Sequence, residues 1–263
     1  MKRSTRQVAR LWLAALALAL AAPAAAGELV TFPSAATPTE PASAIRGYLD
    51  APTGPGPFPA VVLLHSCLGF PPDRKAIGAM LAGWGYVALY VDDFSTRGLT
   101  QTCLVDFPEG VADAYGALAF LAARPDVDTA RIGAVGYSQG GDTALKLAVP
   151  RIAAAFALPG GARFRAVAAY YPPCGNLRRT RLALPTLILV GAADTVTPAA
   201  TCATLAKGQP NVALTVYPGA EHVFDDPNFA GGKALFGMHL QYNRVAGEQA
   251  KAALRAFLAT ALR

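Results

Sequence analysis

Short apolar runs recur along this chain, at 60–65, 86–92, 131–137, 165–171, 185–191 and 212–217, after a first strand candidate at 44–50. Between them, 73–83, 106–123, 139–148 and 197–207 have helical spacing, and 242–262 closes the chain with another helix. Runs that are apolar throughout, rather than alternating, suit strands buried on both faces. Helices in the intervals supply the crossovers that parallel strands need. A mostly parallel central sheet with helices on both faces is therefore expected over residues 44–263. With 53% hydrophobic residues and no internal repeat, the chain can fill the core of one large domain.

The N-terminus has a different character. Lys2, Arg3, Arg6 and Arg10 precede the apolar run 11–20 and the small residues Ala24, Ala25 and Ala26. A run half the roughly 20 residues of a membrane span, followed by an A-x-A pattern, predicts a signal peptide over 1–26. The exported chain then starts near Gly27, with no stable membrane insertion and a periplasmic or secreted location. Residues 27–43, rich in Pro, Ser, Thr and Ala, read as an extended lead-in. Four of the positive charges behind the formal +6 lie in the signal, so the remainder carries only +2. Its one basic group, Arg178-Arg179-Thr180-Arg181, suits a solvated loop, and no nucleic-acid partner is expected.

In a sheet of this kind the loops at the carboxyl ends of the strands carry the chemistry. Gly136-Tyr137-Ser138-Gln139-Gly140 stands at such an end, between the strand 131–137 and a helix. It matches G-x-S-x-G in the strand-turn-helix setting of an α/β-hydrolase nucleophile, which makes Ser138 the expected nucleophile. In that fold the acid and then the histidine follow the serine. Of the three histidines, His65 precedes Ser138 and suits loop packing. His239 lies before the last helix, whereas His222 follows the strand 212–217 directly. The acids between Ser138 and His222 are Asp142, Asp194 and Glu221. Asp142 is on the nucleophile's own helix and Glu221 adjoins the base, whereas Asp194 follows the strand 185–191. The expected catalytic set is thus Ser138, His222 and Asp194. Its oxyanion donors would be the N–H of Gln139 and, from the loop after the early strand 60–65, that of Cys67.

With these residues in place, the chain resembles the dienelactone hydrolase family of the α/β-hydrolase superfamily over nearly all of 44–263. The resemblance rests on the ordered set His65 to Gly69, Asp92 to Gly98, the turn 136–140, Tyr170-Tyr171-Pro172, Gly191 to Pro198 and Gly219 to Phe224. It implies an α/β-hydrolase fold and a small-molecule ester or lactone as substrate. The founding members use a cysteine nucleophile held by a glutamate on the oxyanion loop. Here Ser138 is at the turn, and Ser66 or Cys67 stands where the glutamate would be, which favours a general ester or lactone hydrolase over the named reaction.

Arg97 follows the strand 86–92 and is expected either to contact an anionic or polar part of the substrate or to pair with Asp92, Asp93 or Asp106. No cofactor is expected, and the three separated histidines offer no metal-ligand spacing. Cys67, Cys103, Cys174 and Cys202 follow strands and would meet an oxidising compartment. In the usual strand order of this fold, pairing Cys67 with Cys103 and Cys174 with Cys202 joins loops from neighbouring strands. A peptidase or acyltransferase with the same triad is the competing enzyme reading. A non-catalytic binding protein on the same fold is the other alternative.

Overall fold

The structure is a computed structural model that describes residues 27–263 except 71–74, 106 and 108. The expected signal peptide at 1–26 lies outside the described residues, as do Asp106 and the expected start of the first helix at Asp73. Eight strands form one sheet: β1 (Glu28–Pro33), β2 (Ala44–Asp50), β3 (Phe58–Leu64), β4 (Val87–Asp92), β5 (Val127–Tyr137), β6 (Phe164–Tyr170), β7 (Thr186–Gly191) and β8 (Val212–Tyr217). Their order is β1-β2-β4-β3-β5-β6-β7-β8. The β1/β2 and β2/β4 pairs are antiparallel and every later pair is parallel.

Alternate residues of the central strands face opposite layers. Val62 and Leu64 of β3, Leu89 of β4, Ala134 of β5 and Ile188 of β7 belong to one core cluster. That cluster packs against α2 (Gly110–Ala122), α3 (Gln139–Leu147), the short α4 (Pro150–Ala155) and α5 (Ala199–Ala206). Val61, Leu63, Tyr90, Val135 and Leu189 face the other way, onto α1 (Lys75–Gly83) and α6 (Arg244–Ala261). Both faces are apolar because both are covered, which is why the strands read as continuous apolar runs.

Three features differ from the sequence expectation. The lead-in is partly a strand: 28–33 pairs with β2 from Glu28↔Leu49 to Pro33↔Ala44, and Phe32 is buried with its ring 5.3 Å from that of Phe120. One buried aromatic among prolines and threonines is too weak a periodic signal to announce a strand, and it becomes one by pairing along an existing edge. The short helix α4 was also not expected. Residues 233–240, read only as the approach to the last helix, form a hairpin of β9 (Lys233–Leu235) and β10 (Met238–Leu240), turning at Phe236-Gly237 with φ 53° and 75°.

The β1 arm is packed backbone against backbone at Gly116 of α2, where a Cβ would stand 2.2 Å from the Pro33 carbonyl oxygen and 2.7 Å from Ser34 Cα. No flexible side chain is there to yield. Gly116→Ala should therefore destabilise the protein by roughly 1–3 kcal/mol in urea unfolding, despite alanine's better helix propensity. Unchanged or raised stability would show that the arm is not an integral part of the fold.

Candidate active site

The serine is set by a close approach that only glycine permits. A Cβ on Gly136 would lie 1.9 Å from the Gly140 carbonyl oxygen, and one on Gly140 would lie 2.3 and 2.4 Å from the carbonyl oxygens of Leu64 and His65. The chain leaving β5 is thus pressed into the start of α3, and Ser138 takes φ 51° and ψ −112°, an uncommon conformation for a non-glycine residue. Its N–H donates to the Tyr170 carbonyl (2.9 Å), which ties the turn to β6.

Ser138 Oγ stands 2.9 Å from His222 Nε2, and His222 Nδ1 stands 2.8 Å from Asp194 Oδ2. All three residues are buried. With the carboxylate accepting at Nδ1, the imidazole's proton sits on that nitrogen and Nε2 is free to accept from the serine hydroxyl. Asp194 also accepts at Oδ1 from the N–H groups of Val196 and Thr197, both at 2.8 Å. Burial pushes its carboxyl up, but the hydrogen bond and charge of His222 and the bonds from Thr197 outweigh burial and leave it below the usual carboxylate range.

Other residues hold this chain in place, and the sequence reading assigned none of them a role. Thr197 Oγ1 lies 2.8 Å from Asp194 Oδ2, 3.0 Å from the Tyr171 carbonyl and 3.2 Å from His222 Nδ1. The Tyr171 ring is 4.6 Å from the imidazole, and its hydroxyl donates to Asp225 Oδ1 (2.7 Å). Leu240 bridges to His222, whose carbonyl accepts from the Gln241 N–H (3.1 Å). The Thr197-Pro198 and Tyr170-Tyr171 pairs were visible as motifs, but what they touch depends on strands that are neighbours only in space.

Gln139 opens α3, where a first-turn N–H has no acceptor within the helix and the helix dipole adds partial positive charge. Cys67, after β3, shares with Ser138 and His222 a narrow crevice of about 10 Å³ walled by Leu68, Met238 and Leu240. A neighbouring cavity of about 330 Å³ shares Ser66, Leu68 and Val223 with it and adds Tyr90, Tyr137, Asp226, Phe229 and Lys233. The peptide carrying the Cys67 N–H is held from its other end. His65 Nδ1 donates to the Ser66 carbonyl (2.7 Å), as does the Gly69 N–H (3.0 Å). In a trans peptide C=O and N–H point in opposite directions, so fixing the Ser66 carbonyl turns the Cys67 N–H away from His65. Disulfides join Cys67 to Cys103 and Cys174 to Cys202, linking the loops that follow β3 and β4 in one case and the segment after β6 to α5 in the other. Closing loops of 36 and 28 residues is worth about 2–4 kcal/mol each.

Of the two roles expected of Arg97, the ion pair is the one the structure forms. Its guanidinium is held bidentately by Asp113 at 2.9 and 3.0 Å and donates to the Asp93 carbonyl at 2.6 Å. Asp113 comes from α2, a partner that only the packed helix brings near and that the sequence expectation of Asp92, Asp93 or Asp106 does not include. Arg97 faces a separate groove of about 500 Å³ with Ser34, Glu109 and Lys146, and is absent from the walls of the Ser138 crevice. Burial pushes the Asp113 carboxyl up to about 7 against the pull of Arg97, with nearby Asp93 adding to the rise. The two rejected acids have partners elsewhere: Asp142 Oδ2 is 2.6 Å from Lys146 Nζ, and Glu221 pairs with His239. Among the described residues, no group of three or more His, Cys, Asp or Glu could hold a metal ion, and no helix is long and apolar enough to cross a membrane.

The profile of the Dienelactone hydrolase family matches residues 45–262. Acyl-coenzyme A thioesterase 6 of Mus musculus is 30% identical over 109 residues, 40% of this chain, which spans only 24% of that protein's length. An uncharacterized protein of Mycobacterium tuberculosis is 29% identical over 213 residues, covering 75% of this chain and 74% of its own. Among solved structures, the dienelactone hydrolase-like promiscuous phosphotriesterase P91 from metagenomic libraries superposes with a TM-score of 0.66 at 20% identity. That match covers 90% of this chain and all of P91.

Beneath the loop that follows β3, His65 Nε2 lies 2.7 Å from Asp93 Oδ1, both side chains being buried. Burial alone would lower the His65 pKa, but the Asp93 charge and the Ser66 carbonyl raise it above its ordinary value. A histidine raised in the folded state stabilises fully below about pH 6.5 and loses that contribution as pH climbs through the raised value. The stability advantage of the wild type over the uncharged pair His65→Gln/Asp93→Asn should therefore be largest near pH 5.5 and shrink towards pH 9.5. A pH-independent difference in denaturant titrations would show that the pair is not ionised as described.

Proposed function

This chain belongs to the dienelactone hydrolase family, and on that premise we propose that it is an exported serine hydrolase cleaving carboxylic esters or lactones through an acyl-enzyme on Ser138. The observation that carries this reading is the unbroken path Asp194 Oδ2 to His222 Nδ1 and His222 Nε2 to Ser138 Oγ, at 2.8 and 2.9 Å. Ser138 Oγ attacks the ester carbonyl while His222 Nε2 takes its proton, and Asp194, kept ionised below the usual range, stabilises the imidazolium. The carbonyl oxygen gains negative charge in this step, and the N–H groups of Cys67 and Gln139 are the donors assigned to it. Collapse of the tetrahedral species expels the alkoxide, which takes the proton from His222. Water, deprotonated by the same histidine, then releases the acid and restores Ser138.

The apolar walls of the crevice and the size of the adjoining 330 Å³ cavity, lined by both apolar and polar side chains, suit a small organic ester. Export is supported by the A-x-A pattern before Gly27 together with two disulfides, bonds that persist in oxidising compartments.

A fluorophosphonate should label the wild type at Ser138 and leave Ser138→Ala unlabelled. On short-chain esters and lactones, Ser138→Ala and His222→Ala should lose roughly four to six orders of magnitude in kcat, and Asp194→Asn about four. Wild-type turnover by Ser138→Ala would refute the mechanism. Hydrolysis of peptides or thioesters in preference to oxygen esters would move the substrate class.

A further inference from the structure

Thr102 lies in an exposed stretch, with Leu104 70% and Val105 63% accessible, yet is itself only 2% accessible. Its N–H donates to the Cys67 carbonyl (2.8 Å) and its hydroxyl donates to Gln139 Oε1 (2.9 Å). The next residue, Cys103, is bonded to Cys67. The two strands of chain are packed closely: a Cβ on Gly69 would stand 2.6 Å from the Thr100 carbonyl oxygen. One buried residue on a surface loop therefore touches both residues whose N–H groups are assigned to the oxyanion, Cys67 on the loop after β3 through its backbone N–H and Gln139 on α3 through its hydroxyl. Those two residues are 72 positions apart in the chain, and the Thr102 hydroxyl links their segments through a side chain.

We propose that Thr102 is the positioning residue of the oxyanion hole, holding the Cys67 and Gln139 N–H groups at the separation that a tetrahedral oxyanion requires. The inference rests on the acyl-enzyme reading above. Donors act on an oxyanion only within about 2.7–3.1 Å, and a displacement near 1 Å can cost about a hundredfold in rate. The disulfide limits how far the loop can travel from Cys103, but it does not reach α3. The Thr102 hydroxyl does. Because the contacts it aligns form with charge in the transition state, its loss should appear in kcat rather than in KM.

Thr102→Val keeps the shape and the backbone N–H and deletes the hydroxyl. It should lower kcat on a short-chain ester about tenfold, leave KM within about twofold and still label with fluorophosphonate, while Thr102→Ser recovers most of the lost rate. In a Gln139→Met background, which lacks Oε1, the Thr102→Val effect should vanish. Wild-type kcat in Thr102→Val, a serine variant no better than valine, or an effect that persists in Gln139→Met would each overturn the inference. If wild-type Ser138 is not labelled, the acyl-enzyme reading itself fails. If Ser138 is labelled and Thr102→Val turns over normally, only the positioning role fails.

A separate observation concerns the start of the described chain. Asp50 ends β2 buried, its Oδ2 has no hydrogen-bond partner among the described residues, and burial raises its carboxyl pKa. Two glycines enclose that oxygen: a Cβ on Gly78 of α1 would stand 2.3 Å from it and one on Gly27 2.7 Å. Glu28 pairs with Leu49, so Gly27 stands across from Asp50 at the end of the β1/β2 ladder. Gly27 is also the residue that cleavage after Ala24-Ala25-Ala26 would leave first. We infer that the α-ammonium of the processed chain is the missing partner of Asp50, so that removal of the leader completes a buried ion pair.

N-terminal sequencing of the exported protein should give Gly27. The processed protein should melt at least roughly 2–4 °C above a form retaining Ala26, a shift equivalent to about 1 kcal/mol, and Asp50→Asn should erase that difference. A different N-terminus, equal melting of the two forms, or a difference that survives Asp50→Asn would overturn the inference.

Discussion

The site depends on a steric constraint in which backbone must pass backbone where β5 turns into α3. Gly136 meets Gly140, and Gly140 meets the carbonyl oxygens that end β3, at distances that leave no room for a side-chain carbon. That contact drives Ser138 to φ 51° and points the first turn of α3 at the reacting atom. Strain of this kind, about 1–3 kcal/mol, persists only where the surroundings over-determine it. Here β3, β5 and β6 do so: all three are buried in the sheet, and β6 accepts the Ser138 N–H.

The remaining site residues reach Ser138 from loops with no hydrogen-bonded ladder of their own, and each loop is fastened by other means. The acid turn is closed by two N–H bonds to Asp194 and by the Thr197 hydroxyl. The histidine loop is backed by the Tyr171 ring and by β10. The loop after β3 is fastened by His65 below, the Cys67–Cys103 bond and Thr102 alongside. Covalent bonds at the carboxyl ends of paired strands limit loop motion without occupying the reaction centre, since a disulfide uses the cysteine side chain and leaves its N–H available.

Charged groups near the site are arranged in layers. Buried His65, Asp93 and Asp113 form a cluster with half-buried Arg97 behind the loop after β3. Removing one member leaves a buried charge exposed to its neighbours, so the cluster acts as a unit. Arg97 illustrates the consequence for function: a guanidinium on the active-site side of the sheet is consumed in holding α2 to the β4 loop.

The strand pattern, the G-x-S-x-G turn and the order of serine, acid and histidine were all legible in the sequence. Each depends on local steric rules or on apolar periodicity, and these act through residues close in the chain. The cysteine pairing was legible as well, because strand order in this fold makes the relevant loops neighbours. Only tertiary structure decided the role of Arg97, the strand at 28–33, the hairpin wall over His222 and the contacts of Thr102, Thr197 and Tyr171. These are settled by polar groups on different strands finding partners during packing, and a hydroxyl or guanidinium carries no mark in the sequence of which distant carbonyl or carboxylate it will meet. Thr102 and Gln139 are 37 positions apart, and what joins them is a distance of 2.9 Å that exists only once β3, β4 and β5 lie side by side.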